Sequence, residues 1–175
     1  NQINHVEIQP AKINFKEIVD GALAVAGRHG IPPKMVIEQK IDETVGLISD
    51  KNLIKIVFEN LIENAIKFYN TSDRVTPYVR IKIGHSKLGR VQIVIEDNGI
   101  GIDLARYSDK IFSLYKRFHS HIEGKGLGLF LVKLQTESLG GRIEVKSSPN
   151  QGATFTVYLK IPENIGEQLI FKNDS

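Results

Sequence analysis

Two asparagines and a lysine share one edge of a predicted helix. Asn60, Asn64 and Lys67 fall within about 60° of one another at 100° per residue, beside an apolar stripe. An amide oxygen is a hard ligand that suits Mg²⁺, and a lysine one turn further along can reach a phosphate. The alternative is structural: the asparagines hydrogen-bond within the helix, and Glu63 pairs with Lys67 at i,i+4. Either interpretation fits this edge taken alone.

A carboxylate and two glycines follow a strand rich in branched residues, where Val91 to Glu96 leads into Asp97-Asn98-Gly99-Ile100-Gly101. An aspartate at the end of an apolar strand accepts a hydrogen bond from the exocyclic amine of adenine, whereas guanine presents a carbonyl oxygen. Such a bond to a charged group contributes about 1.5 to 3 kcal/mol, enough to select the base. Both glycines let the backbone approach a flat ligand. A plain Asn-Gly turn is the alternative, and the dinucleotide fingerprint is excluded because Leu104 stands where its third glycine belongs.

A second glycine motif, Gly124 to Leu129, opens a predicted helix. Free N–H groups at a helix start and the helix dipole together form an anion site, although the run is not a Walker A loop and a flexible hinge is an equal alternative. Between the two glycine motifs, Ile111 to His121 is aromatic and basic. It fits a lid that closes over phosphates with Arg117 pointing inward, or a surface loop anchored by two phenylalanines.

The composition describes the protein that must position these side chains. The chain has 175 residues, 41% of them hydrophobic, which is enough for one self-sufficient core. The absence of cysteine excludes disulfides, thiolate metal sites and cysteine nucleophiles, and a net charge of +3 is too balanced to indicate nucleic acid as a partner. No apolar run reaches the roughly 18 residues that a membrane helix needs. Because the chain begins with Asn1, we expect it to be a piece of a longer protein.

Periodicity and punctuation predict three helices among six strands. The helices are expected over 15–29, 51–68 with a cap at Ser49-Asp50, and 127–138, and the strands over 35–42, 45–48, 79–83, 91–96, 142–147 and 153–160. Helices mixed with antiparallel strands predict an α+β fold, with one sheet and the helices on one of its faces. We expect a linker over 1–13, a single domain over 14–162 and a polar tail over 163–175.

Taken in order, these motifs closely resemble the catalytic ATP-binding domain of sensor histidine kinases. That domain is a branch of the superfamily shared with gyrase, the heat-shock chaperone ATPases and the mismatch-repair ATPases. The resemblance covers about residues 15–161 and comprises an N box (60–68), a first glycine box (97–102), an F-box-like stretch (111–118), a second glycine box (124–129) and Gly152-Ala153-Thr154-Phe155 before the last strand. It implies the Bergerat fold, a two-layer α/β sandwich with a mixed, mostly antiparallel sheet.

The resemblance also implies a role for each matching residue. Asn64 would ligate Mg²⁺ with support from Asn60, and Lys67 and Arg117 would meet the phosphates, so that Asn60, Lys67 and Arg117 form the catalytic set. Phe68, where the family usually has tyrosine, would lie against the adenine that Asp97 selects. The remaining ATP-binding residues would be Gly99, Gly101, Ile102, Lys125, Gly126, Leu127, Gly128 and Leu129. The chain departs from the pattern at Ala153, where many members carry serine or threonine.

Phosphoryl transfer is favoured over hydrolysis by Asn60. Hydrolases of the superfamily place a glutamate there to activate water, and an amide has no useful basicity. In the kinases the nucleophile is a histidine on a separate dimerisation domain, and none of the five histidines of this chain fits that motif. A gyrase- or chaperone-like ATPase and a regulatory module that binds nucleotide without transfer remain the alternatives.

The resemblance implies two partners and a compartment. The partners would be the histidine-containing dimerisation domain of the same full-length protein and the receiver domain of a response regulator. The cofactors would be ATP and Mg²⁺. We expect this domain to contact neither nucleic acid nor membrane. We expect a cytoplasmic location, which is compatible with a full-length protein anchored in a membrane.

Overall fold

A computed structural model describes residues 10–108, 110–113 and 128–161 of the chain. In chain order its elements are β1 (Pro10–Lys12), α1 (Phe15–Gly27), β2 (Val36–Ile41), β3 (Ile48–Asp50), α2 (Lys51–Lys67), β4 (Tyr78–His85), β5 (Val91–Asp97), α3 (Leu104–Tyr107), α4 (Gly128–Ser138), β6 (Arg142–Ser147) and β7 (Ala153–Leu159).

Five strands form one sheet in the order β2-β4-β5-β7-β6. Only β2 and β4 run parallel, and every other neighbouring pair in this sheet is antiparallel. Alternate residues of β5 and β7 are buried, as expected for a sheet with one covered face. The predicted α+β class, with a mixed and mostly antiparallel sheet, is confirmed.

The core lies between the buried face of the sheet and helices α1, α2 and α4. Helix α2 contributes the apolar stripe read from the sequence, and Leu53, Val57, Leu61 and Ala65 are all buried. Phe58 on the same helix is fully enclosed and packs against Phe15 of α1, with ring centroids 6.2 Å apart. Full burial of an aliphatic side chain contributes about 1.5 to 3 kcal/mol, so this packing fixes the rotation of α2 about its axis.

Both ends of α2 are defined by hydrogen bonds. The Asp50 carboxylate caps the first turn, accepting from the backbone N–H groups of Asn52 at 2.9 Å and Leu53 at 3.1 Å. At the other end, the N–H of Phe68 donates to the carbonyl of Asn64 at 3.1 Å. The predicted cap is confirmed, and the helix has a defined register along its whole length.

Short and non-local elements differ from the expectation. Residues 10–12, expected to belong to a linker, form β1, which pairs antiparallel with β3 in a separate two-stranded sheet. The strand expected over 45–48 starts only at Ile48, while Val45 and Leu47 enter the core from the preceding loop. Strands of three residues are too short to show an alternating pattern in the sequence. They form only because a strand distant in sequence pairs with them.

The end of one helix and the presence of another also differ from the expectation. Helix α1 ends at Gly27 rather than His29, since the N–H of Arg28 turns back to the Val25 carbonyl at 3.2 Å and Gly30 has a φ of 89°. Helix α3 was not expected and has only four residues. Among the described residues, no helix is both long and apolar enough to cross a membrane.

Candidate functional site

The asparagine edge of α2 faces the start of α4. A Cβ built on Gly128 would lie 3.1 Å from Oδ1 of Asn60 and 3.9 Å from Nδ2 of Asn64. The end of the second glycine motif therefore lies directly across both amides, which are 60 residues or more away along the chain. Two of the motifs found in the sequence meet at this point.

The two amides of the edge are not equivalent. Nδ2 of Asn60 donates to the carbonyl of Ile56 at 2.8 Å. The alternative that the asparagines hydrogen-bond within their own helix is therefore correct for this nitrogen. This bond aims Oδ1 of Asn60 away from its own helix, toward Gly128. Nζ of Lys67 lies 5.7 Å from the centroid of the Phe68 ring. In the described part of the chain, Lys67 makes no ion pair with Glu63, which leaves its ammonium available for an anion.

Asp97 closes the other end of the site, at the end of β5. Its side chain is buried, with 8% of the residue exposed. Oδ1 accepts from the N–H of Gly99 at 2.8 Å and from the N–H of Ala153 at 3.3 Å. Within the described residues Oδ2 accepts no hydrogen bond, so one carboxylate oxygen is anchored and the other is available to a ligand.

The environment of Asp97 opposes its ionisation. Burial raises the pKa of the carboxyl group to about 6. The hydrogen bonds from Gly99 and Ala153 lower the pKa, and the charge of Glu96 raises it. A buried carboxyl group with a perturbed pKa is characteristic of functional sites.

The first glycine motif is held against the end of α2. The N–H of Ile100 donates to the Phe68 carbonyl at 2.9 Å. A Cβ built on Gly99 would lie 2.1 Å from that same carbonyl oxygen, so no side chain fits there. Phe68 is half-buried, and its position at the end of α2 is thereby tied to the loop that carries Asp97.

The turn before β7 closes on the same loop. Gly101 and Gly152 both have positive φ, 68° and 75°. A Cβ on Gly101 would lie 2.0 Å from the Ser148 carbonyl oxygen, and one on Gly152 would lie 2.0 Å from the Asp97 carbonyl oxygen. Three chain segments, from α2, from the loop after β5 and from the turn before β7, thus meet backbone to backbone around Asp97.

Sequence reasoning missed two polar side chains that support this arrangement. Asn98 accepts from the N–H of Tyr78 at 2.7 Å and donates to the Thr76 carbonyl at 2.9 Å, which ties the loop to the start of β4. Ser147 accepts from the N–H of Ile102 at 2.8 Å through its hydroxyl. The Asn-Gly motif contained the signal for Asn98, but a serine at a strand end carried none.

Of the remaining predicted site residues, the structure describes two and leaves four outside its described ranges. Ile102 and Leu129 are half-buried and pack against the core beside the site. Arg117, Lys125, Gly126 and Leu127 lie outside the described residues. No group of three or more His, Cys, Asp or Glu side chains that could hold a metal ion occurs in the described ranges.

Comparison of the chain with known proteins identifies the family to which it is similar. The family described as "Histidine kinase-, DNA gyrase B-, and HSP90-like ATPase" matches residues 49–163. The phytochrome-like protein Cph1 of Synechocystis is 33% identical over 171 residues, which cover 90% of this chain and 20% of that protein. The signal transduction histidine-protein kinase AtoS of Escherichia coli is 30% identical over 151 residues, covering 86% of this chain and 24% of AtoS.

Solved structures agree with the fold. The mycobacterial sensor histidine kinase MprB superposes with a TM-score of 0.72 at 21% identity, covering 86% of this chain and 97% of that one. Full-length ShkA in complex with AMPPNP superposes with a TM-score of 0.71 at 20% identity, covering 89% of this chain and 32% of that one. The chain spans a quarter or less of the length of Cph1 and AtoS.

The approach of Gly152 to Asp97 leads to a first prediction. Gly152→Ala and Gly89→Ala both place alanine at a positive φ, 75° and 74°, but only at Gly152 would the new Cβ meet backbone. We expect Gly89→Ala to lower the free energy of unfolding by about 1 kcal/mol and Gly152→Ala by at least about 2 kcal/mol more. Urea denaturation measures both, and equal losses would contradict the close approach.

The buried carboxyl group leads to a second prediction, for Asp97→Asn. Because the pKa of about 6 in the folded protein exceeds the ordinary aspartate value of 3.8, folding favours the neutral acid, and stability falls as pH rises between these values. Asparagine keeps the acceptor for Gly99 and Ala153 without the charge. We expect the variant and the parent to be about equally stable near pH 4, and the variant to be more stable by up to about 3 kcal/mol above pH 7. Denaturation across this range checks the difference, and a gap independent of pH would contradict it.

Proposed function

The chain belongs to the histidine kinase-, DNA gyrase B- and HSP90-like ATPase family, and on that premise we propose that it binds Mg-ATP and transfers the γ-phosphate to a histidine outside this chain. The prediction of the family is confirmed, and the chain is an ATP-binding catalytic domain of the sensor histidine kinase type. Since it spans a quarter or less of Cph1 and AtoS, the activity of the whole protein is part of the proposal.

Asp97 is the observation that carries this proposal. Its Oδ1 is held by two backbone N–H groups, and its Oδ2 accepts no hydrogen bond from any residue that the structure describes. We assign Oδ2 to the exocyclic amine of adenine, with Phe68, Gly99 and Gly101 around the base. We assign the phosphates to the asparagine edge, because α2 carries Asn60 and Asn64 before it reaches Phe68 and the Asp97 loop, and because Gly128 lies across both amides.

The side chains at the phosphate end fit magnesium held mainly by the nucleotide. Mg²⁺ keeps several waters and uses few protein ligands, and the described residues at this end offer amide oxygens rather than a carboxylate cluster. Oδ1 of Asn64 would be the protein ligand, with Asn60 beside it. When bound, the ion would neutralise phosphate charge, while Lys67 would add a positive charge one turn further along α2.

Transfer is favoured over hydrolysis by the chemistry of Asn60. Its nitrogen is engaged by the Ile56 carbonyl, and its oxygen has no basicity with which to activate water. The chain's contribution is to hold the γ-phosphate in place for an incoming nucleophile. We assign Arg117 to the terminal phosphate and Lys125 to Leu129 to the phosphate wrap, on the family resemblance.

The outer side of α4 is the surface that we assign to the phosphoacceptor domain. Phe130, Leu131 and Leu134 lie on the side of the helix away from buried Val132 and Thr136, and Leu134 is 45% exposed. This apolar side follows directly after Gly128, which lies across Asn60 and Asn64, the amides that we assign to the phosphates. A histidine-bearing dimerisation domain docked there would reach the γ-phosphate.

The arrangement of the full protein completes the proposal. We propose that the catalytic domain covers residues 14–162 and that residues 1–13 lead to the dimerisation domain, with β1 already part of the folded unit. Residues 163–175 would form a tail. The receiver domain of a response regulator would then accept the phosphoryl group from the histidine.

Calorimetric titration with Mg-ATP tests the adenine assignment. In Asp97→Asn an amide N–H₂ group replaces Oδ2 and faces the adenine amine, donor against donor. We expect ATP affinity to fall by about 10- to 100-fold, which corresponds to loss of a hydrogen bond to a charged group. Glu96→Gln removes the same charge from the adjacent residue, whose side chain bonds Tyr78 on the other face, and is expected to bind as the parent does. Equal affinities for parent and Asp97→Asn would refute the assignment.

Phosphotransfer to a separately expressed dimerisation domain tests the activity. We expect phosphohistidine only when both proteins and Mg-ATP are present, with neither self-labelling nor rapid hydrolysis by this chain alone. Leu134→Glu is expected to lower transfer at least about tenfold without changing ATP affinity, because it charges the apolar side of α4. Leu88→Glu is the matched control, since Leu88 is 83% exposed on the distant β4–β5 turn. Rapid ATP hydrolysis by the chain alone would indicate an ATPase instead.

A further inference from the structure

The hydroxyl of Ser147 joins two loops next to Asp97, at the part of the site that we assign to adenine and call the adenine end. It accepts from the N–H of Ile102 at 2.8 Å, just after the first glycine motif. It donates to the carbonyl of Gly152 at 2.6 Å, just before β7. A serine hydroxyl carries one donor and two acceptor lone pairs, so a single side chain serves both loops.

The hydrogen bond to Gly152 continues to Asp97 through one peptide group. The carbonyl of Gly152 and the N–H of Ala153 belong to the same peptide unit, and that N–H donates to Oδ1 of Asp97 at 3.3 Å. A donor on the carbonyl oxygen polarises the peptide and strengthens its N–H as a donor. The result is a continuous hydrogen-bonded chain from Ile102 through Ser147 to the Asp97 carboxylate.

Strand register places these residues in one row. Ser147 of β6 lies opposite Ala153 of β7, and Ala153 lies opposite Asp97 of β5. Ala153 has no polar side chain, so the middle strand contributes only its backbone to Asp97. The hydroxyl at this end of the row is supplied by the outer strand.

We propose that Ser147 is a positioning residue for adenine recognition, holding the Ala153 N–H and the glycine loop so that Asp97 presents Oδ2 to the base. This inference rests on the proposed function. Loss of the hydroxyl would leave the Gly152 carbonyl and the Ile102 N–H without this partner, and the weakened Ala153 bond would let the carboxylate move. The hydrogen bonds of the Ser147 hydroxyl go to Ile102 and Gly152, and within the described residues none goes to the asparagine edge.

Loss of the Ser147 hydroxyl also changes the titration of Asp97. Because the Ala153 bond lowers the pKa of Asp97, weakening that bond raises the pKa further. Glu96 on β5 and Tyr78 on β4 interact electrostatically with Asp97, Arg80 on β4 pairs with Glu96, and Lys67 lies at the end of α2; a change at position 147 alters none of these groups. The pH at which ATP affinity declines on acidification should therefore move upward.

Calorimetric titrations of three variants with Mg-ATP and with tripolyphosphate, from pH 5.5 to 8, test the proposal. We expect Ser147→Ala to weaken ATP binding about five- to tenfold at pH 7, to shift the acid midpoint upward, and to leave tripolyphosphate affinity within about twofold. Ser147→Thr keeps the hydroxyl and is expected to restore both properties. Ser148→Ala is the matched control, because that exposed neighbour contributes its backbone carbonyl rather than its side chain to the loop contact.

Two outcomes would overturn the proposal while the proposed function stands. One is parental ATP affinity and parental acid midpoint in Ser147→Ala. The other is equal loss of ATP and tripolyphosphate affinity, which would indicate general loosening of the fold. If the parent bound no ATP, or if Asp97→Asn bound it normally, the proposed function would fail and this inference with it.

Discussion

The burial of a carboxyl group at the end of β5 is the constraint on which the arrangement around Asp97 depends. Burial penalises the charge of Asp97, and backbone N–H groups of Gly99 and Ala153 offset part of that penalty. Those donors can reach Oδ1 only if the glycine loop and the turn before β7 approach closely. The glycines at 99, 101 and 152 follow from this requirement, because a Cβ at any of them would lie within 2.1 Å of a backbone oxygen.

The two ends of the proposed nucleotide site are built by different means. The surroundings of Asp97, which we assign to adenine, are made by backbone contacts between three segments, which leaves little room for adjustment. The asparagine edge, which we assign to the phosphates, is made by side chains on one face of α2, and their spacing is that of the helix itself. The Asp50 cap and the packing of Phe58 fix the register and rotation of α2, and with them the direction of Asn60, Asn64 and Lys67.

Helix α4 connects the site to a surface. Gly128 at its start has no side chain to fill the space across Asn60 and Asn64, while Val132 anchors the helix in the core. Its opposite side remains apolar at Leu134. One helix thus faces the two amides with its first residue and carries an exposed apolar side chain on its outer side.

The sequence by itself determined the long elements, the α+β class and the order of the motifs, because helical and strand periodicity and glycine or asparagine signals are local properties. It also predicted the asparagine edge and Asp97, since a helix converts spacing into direction and a strand end locates its last side chain. Only the tertiary structure decided three features: strand β1, the hydrogen bonds of Asn98, and the hydrogen bonds that link Ile102 through Ser147 to Asp97. Each depends on a partner 20 or more residues away whose position no local pattern encodes: Asp50 for Pro10, Tyr78 for Asn98 and Ile102 for Ser147.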